Sequence, residues 1–123
     1  MIDLFDSSAV LAYLARETGA DVVEQALTTG RNVVSAANWS EVAQKVAASG
    51  ISWQVARAVL LSLRIDVEPV QSEDAELAAR LWVGRPQLSL GDRLCLATGE
   101  RLGAIVWTAD RAWGDEDPVR QVR

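Results

Sequence analysis

The chain has 123 residues, half of them hydrophobic, which suits a single domain over residues 1–123 with a sizeable core and no linker or internal repeat. It holds no histidine and one cysteine, Cys95, which excludes an internal disulfide, a Cys/His zinc site, a Cys–His nucleophile and a Ser-His-Asp triad. The formal net charge of −5 opposes nonspecific attraction to a polyanion, but every basic residue except Lys45 is an arginine, which grips phosphate bidentately, and a bound cation would reverse the field where it sits.

The opening run Met1-Ile2-Asp3-Leu4-Phe5-Asp6 lacks the basic region and apolar core of a signal peptide, and no later apolar stretch approaches the roughly 20 residues that span a bilayer. A cytoplasmic protein without membrane contact is expected. Ile2–Phe5 reads as a short strand. Ser7 to Arg16 reads as a helix with Val10, Leu11 and Leu14 at helical spacing, and Ala20 to Thr29 repeats that pattern between Gly19 and Gly30. Asn32–Ser35 is the next strand, followed by helices from about Asn38 to Ala48 and from Ser52 to about Leu63. Ile65–Val70 alternates like a strand, and Pro69 places it away from the middle of a sheet. Ser72 can cap a helix to Trp82, and after a loop carrying Gly84, Arg85 and Pro86, Ser89 opens another that closes at Gly103. Ala104–Thr108 reads as a buried strand, and Val119–Val122 as a final edge strand.

Strands alternating with helices imply an α/β fold with a mostly parallel sheet, and such sheets gather ligands at the carboxyl ends of their strands. Four acids fall there: Asp6 after the first strand, Glu41 after the second, Asp92 opening a helix, and Asp110 two residues past Thr108. Each has a simple reading as a helix cap. Asp6 and Asp110 suit N-cap positions, while Asn38-x-x-Glu41 and Ser89-x-x-Asp92 read as capping boxes or variants of one. Their conjunction says more, because a parallel sheet would bring four like charges to one rim, where a cation would relieve their repulsion. All-oxygen ligation selects a hard ion, Mg2+ or Mn2+ in preference to Zn2+, able to activate water and neutralise a phosphoryl transition state, singly or as a pair about 4 Å apart.

Asp6-Ser7-Ser8-Ala9 resembles the first motif of PIN domains, Asn38-Trp39-Ser40-Glu41-Val42 the second, Leu88-Ser89-Leu90-Gly91-Asp92 the third and Thr108-Ala109-Asp110-Arg111 the fourth. They fall in the family's order over nearly the whole chain, and VapC toxins are the most similar members. The resemblance implies a three-layer α/β/α sandwich and a Mg2+- or Mn2+-dependent endoribonuclease that leaves a 5′-phosphate and a 3′-hydroxyl. It also implies inhibition by a VapB-like antitoxin. By position, Asp6, Asp92 and Asp110 would be the main metal ligands and Glu41 a ligand or a base acting through water, with Ser8 and Thr108 supporting the acids. The sequence departs from the pattern at Trp39, bulkier than expected beside the second acid. It departs again after Arg111, where the acids resume only at Asp115, Glu116 and Asp117, which gives no clear ligand for a second ion.

Arg85, Arg93 and Arg111 lie near these acids and are candidates to meet RNA phosphates; the alternative is surface ion pairs worth under about 1 kcal/mol each. Cys95 sits among apolar neighbours and is expected to pack. Trp53 and Trp82 are expected to anchor the core or an interface. The apolar faces of the first, second and fourth helices could form a groove for an antitoxin helix, in competition with packing on the sheet and with a homodimer surface, and a homodimer is expected. A PIN-like binding module that does not cleave is the alternative. A receiver-like phosphoacceptor domain is a third reading, weakened because Lys45 lies within a helix.

Overall fold

The computed structural model describes residues 1–123. Along the chain, β1 (Ile2–Phe5) is followed by α1 (Ser7–Leu14), α2 (Ala20–Ala26), β2 (Arg31–Ser35), α3 (Ala36–Ala48), α4 (Trp53–Ser62), β3 (Ile65–Glu68), α5 (Ser72–Gly84), α6 (Leu90–Leu102), β4 (Ile105–Thr108) and β5 (Val119–Gln121). The five strands form one sheet in the order β3-β2-β1-β4-β5, every pair parallel. The expected mostly parallel sheet is therefore wholly parallel. Pro69 immediately follows β3, an edge strand, where a missing N–H breaks no ladder.

Alternation along the short strands separates two apolar layers. Phe5 and Val34 face a core completed by Val10, Val23, Val42, Val46, Ala56 and Leu60, which places α1, α2, α3 and α4 on that side. Their neighbours Leu4 and Val33 face the opposite way, into a core with Leu88, Cys95, Val106 and Trp113 beneath α6, against which α5 packs. Helices on both faces of a parallel sheet are the three-layer α/β/α arrangement. Full burial of side chains such as Leu4 and Phe5 stabilises it by about 1.5–3 kcal/mol each.

Several element boundaries move from their sequence expectation, each for a local reason. α3 begins at Ala36 because Ser35, the last residue of β2, is itself the N-cap: its hydroxyl accepts the Asn38 N–H at 3.2 Å. Gln71 caps α5 in place of Ser72, in a capping box with Asp74. α1 and α2 stop short of Arg16 and Thr29. Gly19, at φ 99°, precedes α2 where a Cβ would lie 2.7 Å from the Val122 carbonyl oxygen, so the first face closes against the chain's end only with glycine there. Cys95 is fully buried, as expected. Trp53 packs edge-on against Trp39 at 5.2 Å, whereas Trp82 is 54% exposed and does not anchor the core.

One polar cluster braces the edge of the sheet. Arg101 near the end of α6 donates to both oxygens of buried Asp74 at 2.8 and 3.0 Å and to Glu68 at 3.0 Å, joining α6 to α5 and β3. Burial opposes the charge on Asp74, but the donors from Arg101 and the Gln71 N–H hold its carboxyl below the usual aspartate range.

Candidate active site

β1 lies at the centre of the sheet with β2 on one side and β4 on the other, so successive connections depart in opposite directions from this point. A topological switch of this kind leaves a crevice beyond the carboxyl ends of the strands. Asp6, immediately after β1, stands at that end of the sheet and is almost wholly buried. It caps α1 by accepting the Ala9 N–H at 2.8 Å, and its own N–H donates to the Trp107 carbonyl on β4.

Two hydroxyls complete its surroundings. Ser8 Oγ lies 2.7 and 2.9 Å from the two carboxylate oxygens and accepts the Ala109 N–H at 2.9 Å. Thr108 Oγ1 donates to Asp6 Oδ2 at 2.6 Å and accepts the Asp110 N–H at 3.0 Å. The two side chains thus tie the end of β1 to the turn after β4. They set the backbone of Asp110, whose carboxylate caps the short 3-10 turn Arg111–Trp113 through the Ala112 N–H at 2.9 Å.

Glu41 and Asp92 reach the same rim from helices. Asp92 sits in the first turn of α6, in a capping box with Ser89. Glu41 lies in the second turn of α3, because that helix starts at Ala36, and its Oε1 accepts from Asn38 Nδ2 at 2.6 Å. The capping reading of Asn38-x-x-Glu41 is therefore corrected: Ser35 caps the helix, and Asn38 holds Glu41.

The electrostatics join the four acids. Burial raises the Asp6 carboxyl to about 6, against the hydrogen bonds from Thr108, Ala9 and Ser8, and the Asp92 charge raises it further. Asp92 is also raised, first by burial and then by Glu41 and Asp110. Burial pushes the Cys95 thiol up, and Asp6, Asp92 and Glu41 add to it, so these three acids lie around one buried point of α6. Asp92 is the acid whose charge bears on Asp6 and which Glu41 and Asp110 raise.

The donor chemistry of these residues suits a hard cation. Glu41 Oε2, Asp92 Oδ1 and Asp110 Oδ2 accept no hydrogen bond from the protein, and none of the four acids is ion-paired with an arginine or lysine. As arranged, no three Asp or Glu side chains stand close enough together to hold a metal ion. Convergence on one ion therefore requires the carboxylates to close in from the positions seen.

The three arginines separate. Arg111 is exposed beside Asp110 and unpaired, and Arg85 reaches only the Trp113 carbonyl, at 3.4 Å. Arg93 instead spans the α5–α6 hairpin, donating to the Ala78 and Leu88 carbonyls at 2.8 and 3.3 Å, which spends its guanidinium on packing rather than on the rim. Asp115 caps the Gln121 N–H and Asp117 pairs with Arg120, so both serve the loop before β5. Sequence reasoning missed Gly91, whose absent side chain leaves room for the Glu41 carboxylate. The only signal was its place one residue before Asp92.

No curated protein sequence matches the chain. Among solved structures, the toxin–antitoxin complex from Klebsiella pneumoniae is similar with a TM-score of 0.79 at 18% identity, covering 98% of each chain. VapBC2 from Rickettsia felis, bound to a DNA fragment from its promoter, is similar at 0.74 and 14%, over 98% of this chain and 97% of that one. VapC20 from Mycobacterium tuberculosis, a sarcin–ricin loop cleaving toxin, is similar at 0.69 and 18%, over 94% and 92%. At these identities the likeness is one of fold. The PIN domain family model matches residues 4–115, spanning all four acids, and the chain belongs to that family.

Proposed function

We propose that this protein is a Mg2+- or Mn2+-dependent endoribonuclease, the toxin of a VapBC-like pair, with its site at Asp6, Glu41, Asp92 and Asp110. The observation that carries the reading is geometric: Thr108 joins the Asp6 carboxylate to the Asp110 backbone, and the Glu41 carboxylate lies against Gly91, one residue before Asp92, with none of the four acids paired to an arginine or lysine. A divalent cation would be held by Asp92, Asp110 and Asp6, with Glu41 as a ligand or base, and when bound it supplies a water of lowered pKa and neutralises phosphoryl charge. Ser8 and Thr108 hold Asp6 and the Asp110 backbone in register. Glu41, with Oε1 engaged by Asn38, keeps Oε2 to accept a proton. Exposed Arg111 and half-buried Arg85 are left to meet RNA phosphates.

The fold likeness to structures named as toxin–antitoxin complexes supports a VapB-like partner. A cavity of about 410 Å3 lined by Leu11 and Leu14 of α1, Val46 of α3 and Val55 and Ala56 of α4 suits an amphipathic helix. α1 and α4 are two of the three helices expected to offer such a groove, and α3 lines this cavity with them. A homodimer belongs to the same proposal, supported by exposed Trp82, Val83 and Leu90 around the α5–α6 turn and checked by sedimentation, where a persistent monomer would remove it.

The test is RNA cleavage by purified protein with mapping of the cut ends. The parent is expected to cut RNA only with Mg2+ or Mn2+, leaving 5′-phosphates, and Asp92→Asn to cut at least about a hundredfold more slowly with its melting temperature kept. Cleavage by Asp92→Asn at the parent rate would refute the assignment. A parent that binds the antitoxin but cuts no RNA with either ion would favour the binding-module reading.

A further inference from the structure

Glu41 is held from two sides by Asn38 and Gly91, neither of them one of the four acids. Asn38 is fully buried in the first turn of α3. The Ser35 hydroxyl accepts the Asn38 backbone N–H at 3.2 Å and therefore directs its own proton to Asn38 Oδ1, 3.1 Å away. That fixes the sense of the amide: the oxygen faces Ser35 and the nitrogen faces the carboxylate, the one orientation that satisfies both neighbours. Nδ2 then donates to Glu41 Oε1 at 2.6 Å and reaches the Gly91 carbonyl on α6 at 3.4 Å.

Gly91 closes the other side. A Cβ at this position would stand 2.8, 2.9 and 3.0 Å from Glu41 Oε2, Cδ and Oε1, closer than side-chain carbons approach such atoms. The carboxylate therefore lies against the bare backbone of α6, one residue before Asp92. Any side chain at position 91 would push it away. The atoms displaced are the far end of a flexible side chain, so the helices need not move.

We propose that Asn38 and Gly91 are positioning residues for Glu41, Asn38 by clamping Oε1 and Gly91 by leaving the space its carboxylate fills, so that the acid of α3 and the acid of α6 reach the rim as one unit. Neither residue touches substrate or cation; both act through Glu41. The proposal rests on the metal-dependent nuclease reading of this site.

A set of coupled substitutions tests it, with Mn2+ affinity from calorimetry and kcat and KM for RNA cleavage measured on Asn38→Ala, Gly91→Ala, Glu41→Ala and the two doubles with Glu41→Ala. Each of the first two is expected to weaken Mn2+ binding at least fivefold and lower kcat at least tenfold, with KM within twofold of the parent. In the Glu41→Ala background the further effect of either should fall below twofold, because nothing is left to position. Equal losses with and without Glu41 would mean a purely structural role and overturn the proposal, as would parent-like binding and cleavage by both variants. If Asn38→Ala does not fold, the Gly91→Ala cycle decides alone. A parent that neither binds Mn2+ nor cuts RNA would remove the nuclease reading first, and that failure shows in the parent without any variant.

Discussion

Burying a carboxylate as deeply as Asp6 stores an electrostatic cost that a bound cation would relieve. An unfolded aspartate titrates near 3.8, and Asp6 in the fold at about 6, so between these values the native state holds the proton more tightly than the unfolded chain does. The sign is fixed by that order: metal-free stability falls as pH rises from about 4 through 6, by an amount on the order of 3 kcal/mol from this residue. Asp6→Asn, which cannot ionise, is expected to lose this slope and to be the more stable protein at pH 7.5, while binding no cation. Urea midpoints in chelator at pH 4.5 and 7.5 check it, and a variant with the parent's pH slope would contradict the account. Asp6, Asp92 and Asp110 were legible because each follows a strand or opens a helix or turn, whereas Glu41, a turn inside α3, was legible only through the motif around it. Their supports were legible only in part: Asn38 bonds Glu41 three residues away but also reaches Gly91, 53 positions on, and no local pattern announces that meeting. Arg93 misled for the same reason, since its neighbour in sequence is Asp92 but its partners are carbonyls on α5 and in the loop before α6.

Strands and helices announced themselves through period and caps, and their edges shifted where one residue serves two elements. Ser35 ends β2 and caps α3 at once, so the helix begins two residues before Asn38. The Arg101–Asp74–Glu68 brace went unread because it joins three elements remote in sequence. Removing the cation from it, as in Arg101→Met, strands a buried carboxylate and is expected to cost about 3 kcal/mol at pH 7. In the parent, Asp74 contributes stability above the unfolded aspartate value that is lost as pH falls through its lowered native one. Without Arg101 its burial raises that value instead, so the deficit should shrink as pH drops toward 4. Denaturant titrations of the two proteins at both pH values read the difference, and a deficit independent of pH would remove Asp74 as its cause.

At the scale of the whole molecule, the alternation of strands and helices already implied the parallel sheet and hence the end of it toward which Asp6 and Asp110 are carried. That α3 would line the cavity between α1 and α4 could not be read, because it depends on how α3 and α4 pack on α1. Ile51 and Val55 are more than half exposed at that groove, so Ile51→Asp or Val55→Asp should fold normally. Either is expected to weaken inhibition by the antitoxin at least tenfold while leaving RNA cleavage unchanged; full inhibition of both variants in the same assay would place the partner elsewhere.

Carboxylates from four segments are proposed to act together on one cation, and calorimetric titration of Mn2+ into the parent and into Asp92→Asn at pH 7.5 measures that directly. Saturable binding by the parent, weakened at least about a hundredfold when Asp92 is neutralised, is the result predicted. Equal Mn2+ affinity in the two proteins would contradict it.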